Sequence, residues 1–232
     1  MCGRFTLRTP LTVLSQQFLF DLAQGEEAAA IAEAYVPRYN IAPTQLVLGV
    51  TAERGVRQAR RFKWGLIPSW AKDAKIAYST LNARADTVAT KPAFRSAFKR
   101  RRCLVLADGY YEWKAVDKKT KQPYLYQLTN NQPFALAGLW ETWRPDGGPA
   151  LETCSLITTD ANATARPVHD RMPAILHPVD YDAWLDPENQ NTDELQRLLA
   201  PYEPAEDIQV STVSSYVNNA RHEGAECVAA PG

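Results

Sequence analysis

The spacing of apolar residues changes along the chain, from a helical period near the N-terminus to strand-like runs in the middle. Four apolar side chains recur every three or four positions and predict an amphipathic first helix: Leu11, Leu14, Phe18 and Leu22. Thr9 and Pro10 supply an N-cap and a first helical residue, and the pattern ends near Gly25. The following EEAAAIAEA is helix-prone, whereas the prolines within residues 37–44 predict a loop.

Most of the remaining chain has strand character, with apolar runs separated by short polar turns. Strands are predicted at residues 45–51, 56–64, 102–107, 110–114, 123–128, 134–140, 153–159 and 208–213. Shorter helices are predicted at residues 91–100, 179–185 and 192–199. Many strands with few helices favour an α+β fold. We therefore expect a single domain over residues 1–232, built on a curved, mainly antiparallel β-sheet or barrel with a few peripheral helices.

Composition narrows the class of protein. With 45% hydrophobic and 22% charged residues in 232, the chain has the composition of a globular protein long enough to bury a core without crosslinks. No apolar run approaches the roughly 20 residues of a membrane helix, and the N-terminus does not resemble a signal peptide. The cysteines at 2, 103, 154 and 227 have no CxxC spacing. We expect no metal, no cofactor and no disulfide framework, in a reducing compartment.

The net charge of zero conceals a strong asymmetry. Residues 54–122 contain 18 Lys and Arg and five acids, a net charge of +13 (18 − 5), so the remainder carries −13. The densest part, residues 91–102, holds six positive charges, and Phe94 and Phe98 share one face of its predicted helix. A solvated helix face would explain a run this short. The wider basic segment, which includes aromatic residues such as Trp70, points to a polyanion, and nucleic acid fits best.

The second residue of the chain has unusual chemical potential. Removal of Met1 would leave Cys2 with an α-amine that titrates near ~7.7–8.0 and a thiol that titrates near ~8.5. Both groups would be partly reactive at neutral pH, and no internal residue offers that pair. The alternative is that Cys2 only begins the first strand and packs as a small apolar residue.

Further polar residues stand out at three places. Arg4 lies in the N-terminal MCGRF, and Arg38 and Asn40 lie in RYNIAPT, which prolines stiffen. Asn82 and Arg84 are two positions apart, so they face the same side of a strand. An amide beside a guanidinium forms a clamp for a phosphate or a carbonyl group.

Two residues are candidates for proton transfer. Glu112 lies between Tyr111 and Trp113 in a predicted strand, so it faces the side opposite both aromatic rings. If that side lines a cavity, the pKa of Glu112 would rise towards neutrality; the alternative is an exposed strand carboxylate. His169 precedes Arg171 in PVHDRMP, on a loop bounded by prolines, which suits a proton donor. A lone loop histidine is, however, more often structural.

Seven motifs in this order resemble the SRAP family, the SOS response-associated peptidases: MCGRF, RYNIAP, WGLIPSW, NARAD, RRCLVLADGYYEW, AGLWE and HDRMP. The resemblance runs from residue 2 to about residue 176, and more weakly to GAECV near the C-terminus. The chain departs from the family pattern at Leu106, where proline is expected, and at Asp86, where glutamate is more usual.

The resemblance implies a protein that senses abasic sites in single-stranded DNA, as part of the DNA damage response, and crosslinks to them. The amine of Cys2 would form a Schiff base with the sugar aldehyde, and its thiol would close a thiazolidine ring. Asn82 would orient the N-terminus and the sugar, Glu112 would transfer protons, and His169 would protonate the ring oxygen. DNA contacts would come from Arg4, Arg38, Asn40, Trp70, Arg84 and Arg171.

Other classes of function remain open at this point. Class II glutamine amidotransferases also begin with MCG and use the Cys2 thiol as a nucleophile, and a non-catalytic single-strand binder would need no chemistry at Cys2. The peptidase activity in the family name would be no more than release of Met1. We expect a monomer that binds neither a membrane nor a metal ion. In a bacterium it would lie in the cytoplasm, associated with the nucleoid, and in a eukaryote it would lie in the nucleus.

Overall fold

The computed structural model describes residues 2–22 and 26–232. Among these residues the strands are β1 (Phe5–Leu7), β2 (Arg38–Ile41), β3 (Leu46–Glu53), β4 (Val56–Trp64), β5 (Asn82–Arg84), β6 (Arg102–Ala107), β7 (Gly109–Ala115), β8 (Lys121–Leu128), β9 (Phe134–Trp143), β10 (Leu151–Asp160), β11 (Arg171–Pro173), β12 (Ile175–Leu176) and β13 (Ile208–Thr212). The α-helices are α1 (Leu11–Phe18), α2 (Glu26–Ala34), α3 (Arg95–Arg100), α4 (Tyr181–Leu185) and α5 (Thr192–Arg197).

The strands form two sheets, and the predicted α+β fold is confirmed. Five strands pair antiparallel in the order β13–β8–β7–β1–β2. In the second sheet, β3, β4, β10, β9 and β6 pair in a closed ring, because β10 pairs with both β4 and β9. This ring is a small barrel in which only the β10–β4 pair is parallel. One apolar core joins the two sheets and contains Phe5 and Tyr110 from the first and Phe62 and Leu156 from the second.

Local sequence sets the register of the β3–β4 hairpin. Arg54 and Gly55 both have positive φ, of 50° and 78°, which is the geometry of a two-residue turn that matches the twist of its strands. Glu53 therefore pairs with Val56, and the ladder continues along both strands. All eight predicted strands are confirmed with ends within three residues, and the three later helices are confirmed in shorter form.

The first helix is shorter than its apolar pattern predicted. Pro10 is the N-cap, and the helix ends at Phe18 because Leu19 adopts a left-handed conformation with φ of 58°. Phe20 is nevertheless buried in the core, so the apolar residues past the helix end reflect packing of an irregular segment. The predicted end near Gly25 lies outside the described residues.

The predicted loop at RYNIAPT is wrong over its first half. Arg38–Ile41 form β2, an edge strand that pairs with β1, with Ile41 opposite Phe5. Pro37 precedes the strand and Pro43 follows it, so neither proline interrupts a ladder. Prolines at both ends of a short strand resemble a loop in sequence.

The C-terminal segment packs on the first sheet and completes it. A second, smaller apolar cluster holds Val213, Val217 and Cys227 against Tyr111 and Leu125 of the β7–β8 hairpin. The last turns of the chain therefore cover the face of β7 that points away from the main core. No helix in the described part of the chain is long and apolar enough to cross a membrane.

Candidate active site

Cys2 lies at the junction of the two sheets and is fully buried. Asn82 donates a hydrogen bond from Nδ2 to the Cys2 carbonyl oxygen at 2.9 Å. Asn82 is placed there because β5 pairs in parallel with β10, which brings it next to the start of β1. Its Oδ1 is also buried and has no hydrogen-bond partner within the described ranges. Asn82 therefore holds the backbone of Cys2 and retains an acceptor for another group.

The thiol of Cys2 is less acidic than the sequence suggests. Burial, and next the negative charge of Glu112, raise the pKa of Cys2 to about 12, well above the value near ~8.5 of a free thiol. The expectation of a partly ionised thiol at neutral pH does not hold for this buried conformation. In this buried conformation the thiol keeps its proton at neutral pH.

Glu112 is a buried carboxyl on β7, not an exposed one. Strand alternation places it on the same face as Tyr110, whereas Tyr111 and Trp113 face the C-terminal cluster. Its side chain is 5% exposed, and burial raises its pKa while the charge of His169 acts in the opposite direction. The protonated and ionised forms of Glu112 therefore lie closer in free energy at neutral pH than for an ordinary glutamate.

A cavity of about 570 Å³ opens beside Glu112. Its lining contains Gly3, Arg4, Glu112, Trp113, Lys119, Lys121, His169 and Asn218. Four parts of the chain thus meet around one space: the residues before β1, the β7–β8 hairpin, the loop before β11 and the C-terminal segment. The cavity brings the predicted residues Arg4, Glu112 and His169 together next to Cys2.

The imidazole of His169 is held in one tautomer by its own loop. The backbone N–H of Arg171 donates to His169 Nδ1 at 2.9 Å, while Asp170 Oδ1 lies 3.0 Å from the same atom. The first contact requires an Nδ1 without a proton, whereas an ion pair with Asp170 requires a protonated Nδ1. A backbone N–H can only donate, and Asp170 is 88% exposed, so we take Nδ1 as the acceptor. The ring proton is then on Nε2.

Arg4 and Asn40 form a buried link between the N-terminus and the C-terminal segment. Arg4 donates to Asn40 Oδ1 at 2.7 Å and to the Val217 carbonyl at 3.0 Å. Asn40 is fully buried, and its Nδ2 donates to the carbonyl groups of Val217, Asn219 and His222. Its hydrogen bonds are all internal, so Asn40 braces the site and is not placed to contact DNA.

The other predicted DNA contacts lie apart from the cavity. Arg38 pairs with Glu223 at 2.9 Å on the surface, and Trp70 is 61% exposed in the loop after β4. Arg84 is exposed and pairs with Asp86 through both of its carboxylate oxygens. Arg171 is buried and donates to Asp160 and to the Thr158 carbonyl at 2.6 Å, which gives it a structural role.

Lys119 and Lys121, which line the cavity, were not among the residues predicted from sequence. Four lysines do cluster in residues 114–121, but only the hairpin register shows which of them reach the cavity. Within the described ranges, no group of His, Cys, Asp and Glu side chains is arranged to hold a metal ion. The site therefore combines Cys2 with a carboxyl, an imidazole and several cations.

Comparison with known proteins defines the class to which this fold and site belong. Residues 1–220 match the family of SOS response associated peptidases (SRAP), and the chain belongs to this family. The abasic site processing protein YoqW of Bacillus subtilis is 42% identical over 230 residues, which cover 98% of this chain and 99% of that protein. The abasic site processing protein HMCES of Xenopus tropicalis is 34% identical over 85% of this chain and 67% of its own.

The fold is also found in solved structures of this kind. A crystal structure of a protein from Bacteroides thetaiotaomicron superposes with a TM-score of 0.86 at 27% sequence identity, and 99% of each chain is covered. The arrangement of the two sheets is therefore shared at low sequence identity.

Proposed function

We propose that this protein recognises abasic sites in single-stranded DNA and, once Met1 is removed, forms a thiazolidine crosslink to them through Cys2. Relatives at 42% identity over nearly the whole chain are named abasic site processing proteins, which supports DNA with abasic sites as the substrate. The crosslink would protect the site during the response to DNA damage. Removal of Met1, by the protein itself or by an aminopeptidase, is the peptidase step that the proposal requires. Met1 lies outside the described residues.

The observation that carries this proposal is the position of Cys2. Asn82 anchors its carbonyl group at 2.9 Å, and Glu112 lies close enough for its charge to raise the pKa of the thiol. Gly3, the neighbour of Cys2, lines the cavity with Glu112, so an aldehyde that enters there would approach the α-amine and the thiol of one residue. Only a residue with both groups closes a stable five-membered ring.

The chemistry proceeds in two additions. The free amine of Cys2 attacks C1′ of the opened sugar, and loss of water gives an imine. The S–H bond then adds across the C=N bond: sulfur bonds to C1′, and the proton passes to nitrogen. The thiol has to give up its proton as it attacks, and Glu112, which lies close enough to act on the thiol, would accept that proton and pass it to the nitrogen.

Glu112 and His169 would provide the proton transfers. Glu112, with its raised pKa, can donate a proton to the leaving hydroxyl group and recover it from the amine. His169 in its imidazolium form, with Nδ1–H facing Asp170, would pass its Nε2 proton to the sugar ring oxygen and open the sugar to its aldehyde. The remaining acceptor of Asn82, Oδ1, would orient the amine or a sugar hydroxyl.

The glutaminase alternative is less well supported by this site. An amidotransferase needs a thiol that readily becomes a nucleophilic thiolate, whereas burial raises the pKa of Cys2 to about 12. The exposed aromatic residues Trp70 and Tyr78 in the basic segment also suit single-stranded DNA better than glutamine. A non-catalytic binder differs from the proposed function in that it would form no covalent adduct.

The test is the intact mass of the protein before and after incubation with a single-stranded oligonucleotide that contains one abasic site. We expect a protein mass without Met1, and an adduct equal to the two masses less one water. An oligonucleotide with a tetrahydrofuran abasic analogue, which has no aldehyde, is the matched control and should give no adduct. Binding of the abasic oligonucleotide without any adduct would identify a non-catalytic binder.

Substitution of the Cys2 thiol tests whether a thiazolidine ring forms. Cys2→Ser retains the amine and should lose the heat-stable adduct, while borohydride should still trap a weak imine. The hydroxyl group closes a much less stable ring than the thiol. A heat-stable adduct at wild-type yield in this variant would contradict thiazolidine formation.

A further inference from the structure

The cavity beside Glu112 does not end at the catalytic residues. β1 pairs with β7 through Phe5 and Tyr110, and the last contact is the Tyr111 N–H to the Arg4 carbonyl. Beyond that contact, β7 continues to Ala115 past the start of β1, and the cavity lies along this stretch. The open space therefore runs from the Glu112–His169 pair towards the tip of the β7–β8 hairpin.

The turn of this hairpin directs two lysines to the cavity. Asp117 Oδ1 accepts the backbone N–H groups of Lys119 at 2.7 Å and Thr120 at 2.8 Å, which fixes the turn. Lys121 then pairs with Ala115 at the start of β8. Lys119 and Lys121 both line the cavity, whereas the neighbouring Lys118 does not.

The electrostatic character of this rim is positive. Both lysines are exposed, and neither forms an ion pair with another described residue. Among the described residues of the lining, Glu112 carries the single carboxylate, and it lies buried at the opposite end. The Asp117 carboxylate, for its part, accepts backbone N–H groups within the turn. Two ammonium groups at the mouth of a cavity suit an anion that extends out of it.

We propose that this groove binds the sugar–phosphate backbone beside the abasic nucleotide, with Lys119 and Lys121 as the phosphate contacts. The inference rests on the proposed function, since it assumes that the abasic sugar occupies the end of the cavity beside Glu112. The phosphates of the flanking nucleotides then leave along the open end of the groove, where the hairpin lies. Ammonium groups on flexible stems bind phosphate without reading the base, so the contact is independent of sequence.

The test compares two double variants with the same change in charge. Lys119→Gln/Lys121→Gln removes both cavity lysines, and Lys114→Gln/Lys118→Gln removes two exposed lysines of the same hairpin that do not line the cavity. Binding is measured by fluorescence anisotropy on single-stranded oligonucleotides with a central tetrahydrofuran abasic analogue, across a salt series. Thermal unfolding confirms that all variants are folded.

We expect the cavity variant to lose about tenfold in affinity at 0.15 M salt, and its log–log salt slope to become shallower by about 1.4, two phosphates at about 0.7 each. The control variant should change by less than about threefold. Equal losses of affinity in the two variants would overturn the proposed groove and indicate only a diffuse positive field around the hairpin. No loss of affinity in either variant would overturn it as well.

Crosslinking separates this inference from the proposed function. The control variant Lys114→Gln/Lys118→Gln should crosslink to an abasic oligonucleotide at the wild-type rate, because neither of its lysines lines the cavity. If the wild-type protein forms no adduct, the proposed function fails while the binding comparison still decides the groove. If the adduct forms and the two variants bind DNA with the same affinity, the proposed groove is wrong while the proposed function stands.

Discussion

At the scale of single residues, the buried carboxyl of Glu112 links stability to reactivity. A carboxyl with 5% exposure would be replaced by an apolar or neutral residue if packing alone mattered. Burial raises the pKa of Glu112 above that of an ordinary glutamate, which is the direction that a general acid–base group at neutral pH needs. The same burial is expected to reduce the stability of the fold when the carboxyl is ionised.

We predict that Glu112→Gln slows crosslinking by about 10²–10⁴ and leaves DNA affinity nearly unchanged, because glutamine fills the same space but cannot transfer a proton. The measurement is single-turnover crosslinking at saturating protein, with affinity determined separately on the tetrahydrofuran analogue. A variant that bound poorly yet reacted at the wild-type rate once saturated would refute the role of Glu112 as the proton shuttle.

The same substitution should increase stability at neutral pH. Because the folded pKa of Glu112 lies above its ordinary value of 4.5, the folded state binds the proton more tightly than the unfolded state. Wild-type stability therefore falls as pH rises from about 4.5 through the folded pKa, and Glu112→Gln removes this loss. Thermal unfolding should show the variant more stable than wild type at pH 7 to 8, with the difference vanishing below pH 4.5. If the variant and the wild type differed in stability by the same amount at every pH, the cause would be a change in packing and not the ionisation of Glu112.

The position of His169 in the cavity lining leads to a selective prediction. His169→Ala should slow crosslinking to a natural abasic site by about 10²-fold, because the closed sugar must be opened by protonation of its ring oxygen. An oligonucleotide with an open-chain aldehyde, which cannot cyclise, should react at nearly the wild-type rate. The ratio of the two rates is the measurement. Equal slowing on both substrates would place His169 in a later step.

At the scale of elements, the brace between β2 and the C-terminal segment holds the N-terminus in place. Asn40 accepts from Arg4 and donates to three carbonyl groups of residues 217–222, while Arg38 and the Tyr39 N–H bind Glu223. Arg4 in turn lies over the ring of Trp113 at 5.6 Å. The residues that resemble a DNA-binding loop in sequence thus position the start of β1.

We predict that Asn40→Ala destabilises the protein by about 2–4 kcal/mol, because it leaves Arg4 and several buried carbonyl groups without partners. Thermal unfolding should show a fall in Tm of roughly 4–16 °C for a chain of this size. Asn130→Ala is the matched control, since Asn130 is exposed and makes a single local contact to the Gln132 N–H. Its Tm should stay within about 2 °C of wild type, and a similar loss in both variants would contradict the brace.

At the scale of the whole molecule, tertiary pairing reduces the charge of the basic segment. Arg57, Arg60 and Arg101 pair with acids from outside residues 54–122. Arg102 is buried, and its guanidinium donates to backbone carbonyl groups at the end of α4 and nearby. The charge available on the surface is therefore well below the +13 of the sequence, and its exposed cations include those of α3 and of the β7–β8 hairpin.

We predict that binding to single-stranded DNA weakens with salt with a log–log slope of about −2 to −3.5, which corresponds to roughly three to five phosphates. A slope near −9 would mean that all 13 net charges act, and a slope near zero would exclude electrostatic binding. Anisotropy on single-stranded and duplex oligonucleotides of equal length is the measurement. Preference for the duplex would contradict a stacking role for the exposed Trp70.

The order of residues along the chain is enough to specify most of the longer elements of this protein and to propose its chemistry. Apolar runs identify eight of the thirteen strands in the described part of the chain, and the Arg54–Gly55 turn sets its hairpin locally. The motifs around Cys2, Asn82, Glu112 and His169 are equally visible in the linear sequence, because polar residues inside apolar segments are costly without a function.

Which polar residues act together depends instead on the packing of the folded chain. Three features of the site require contacts between residues far apart in the chain. They are the burial of Cys2 and Glu112, the internal hydrogen bonds of Asn40, and the approach of Lys119 and Lys121 to the cavity. An arginine or a lysine has the same local pattern whether it binds a buried carbonyl group, an acid or solvent. Its free energy of desolvation, which separates these cases, is a property of the packed molecule.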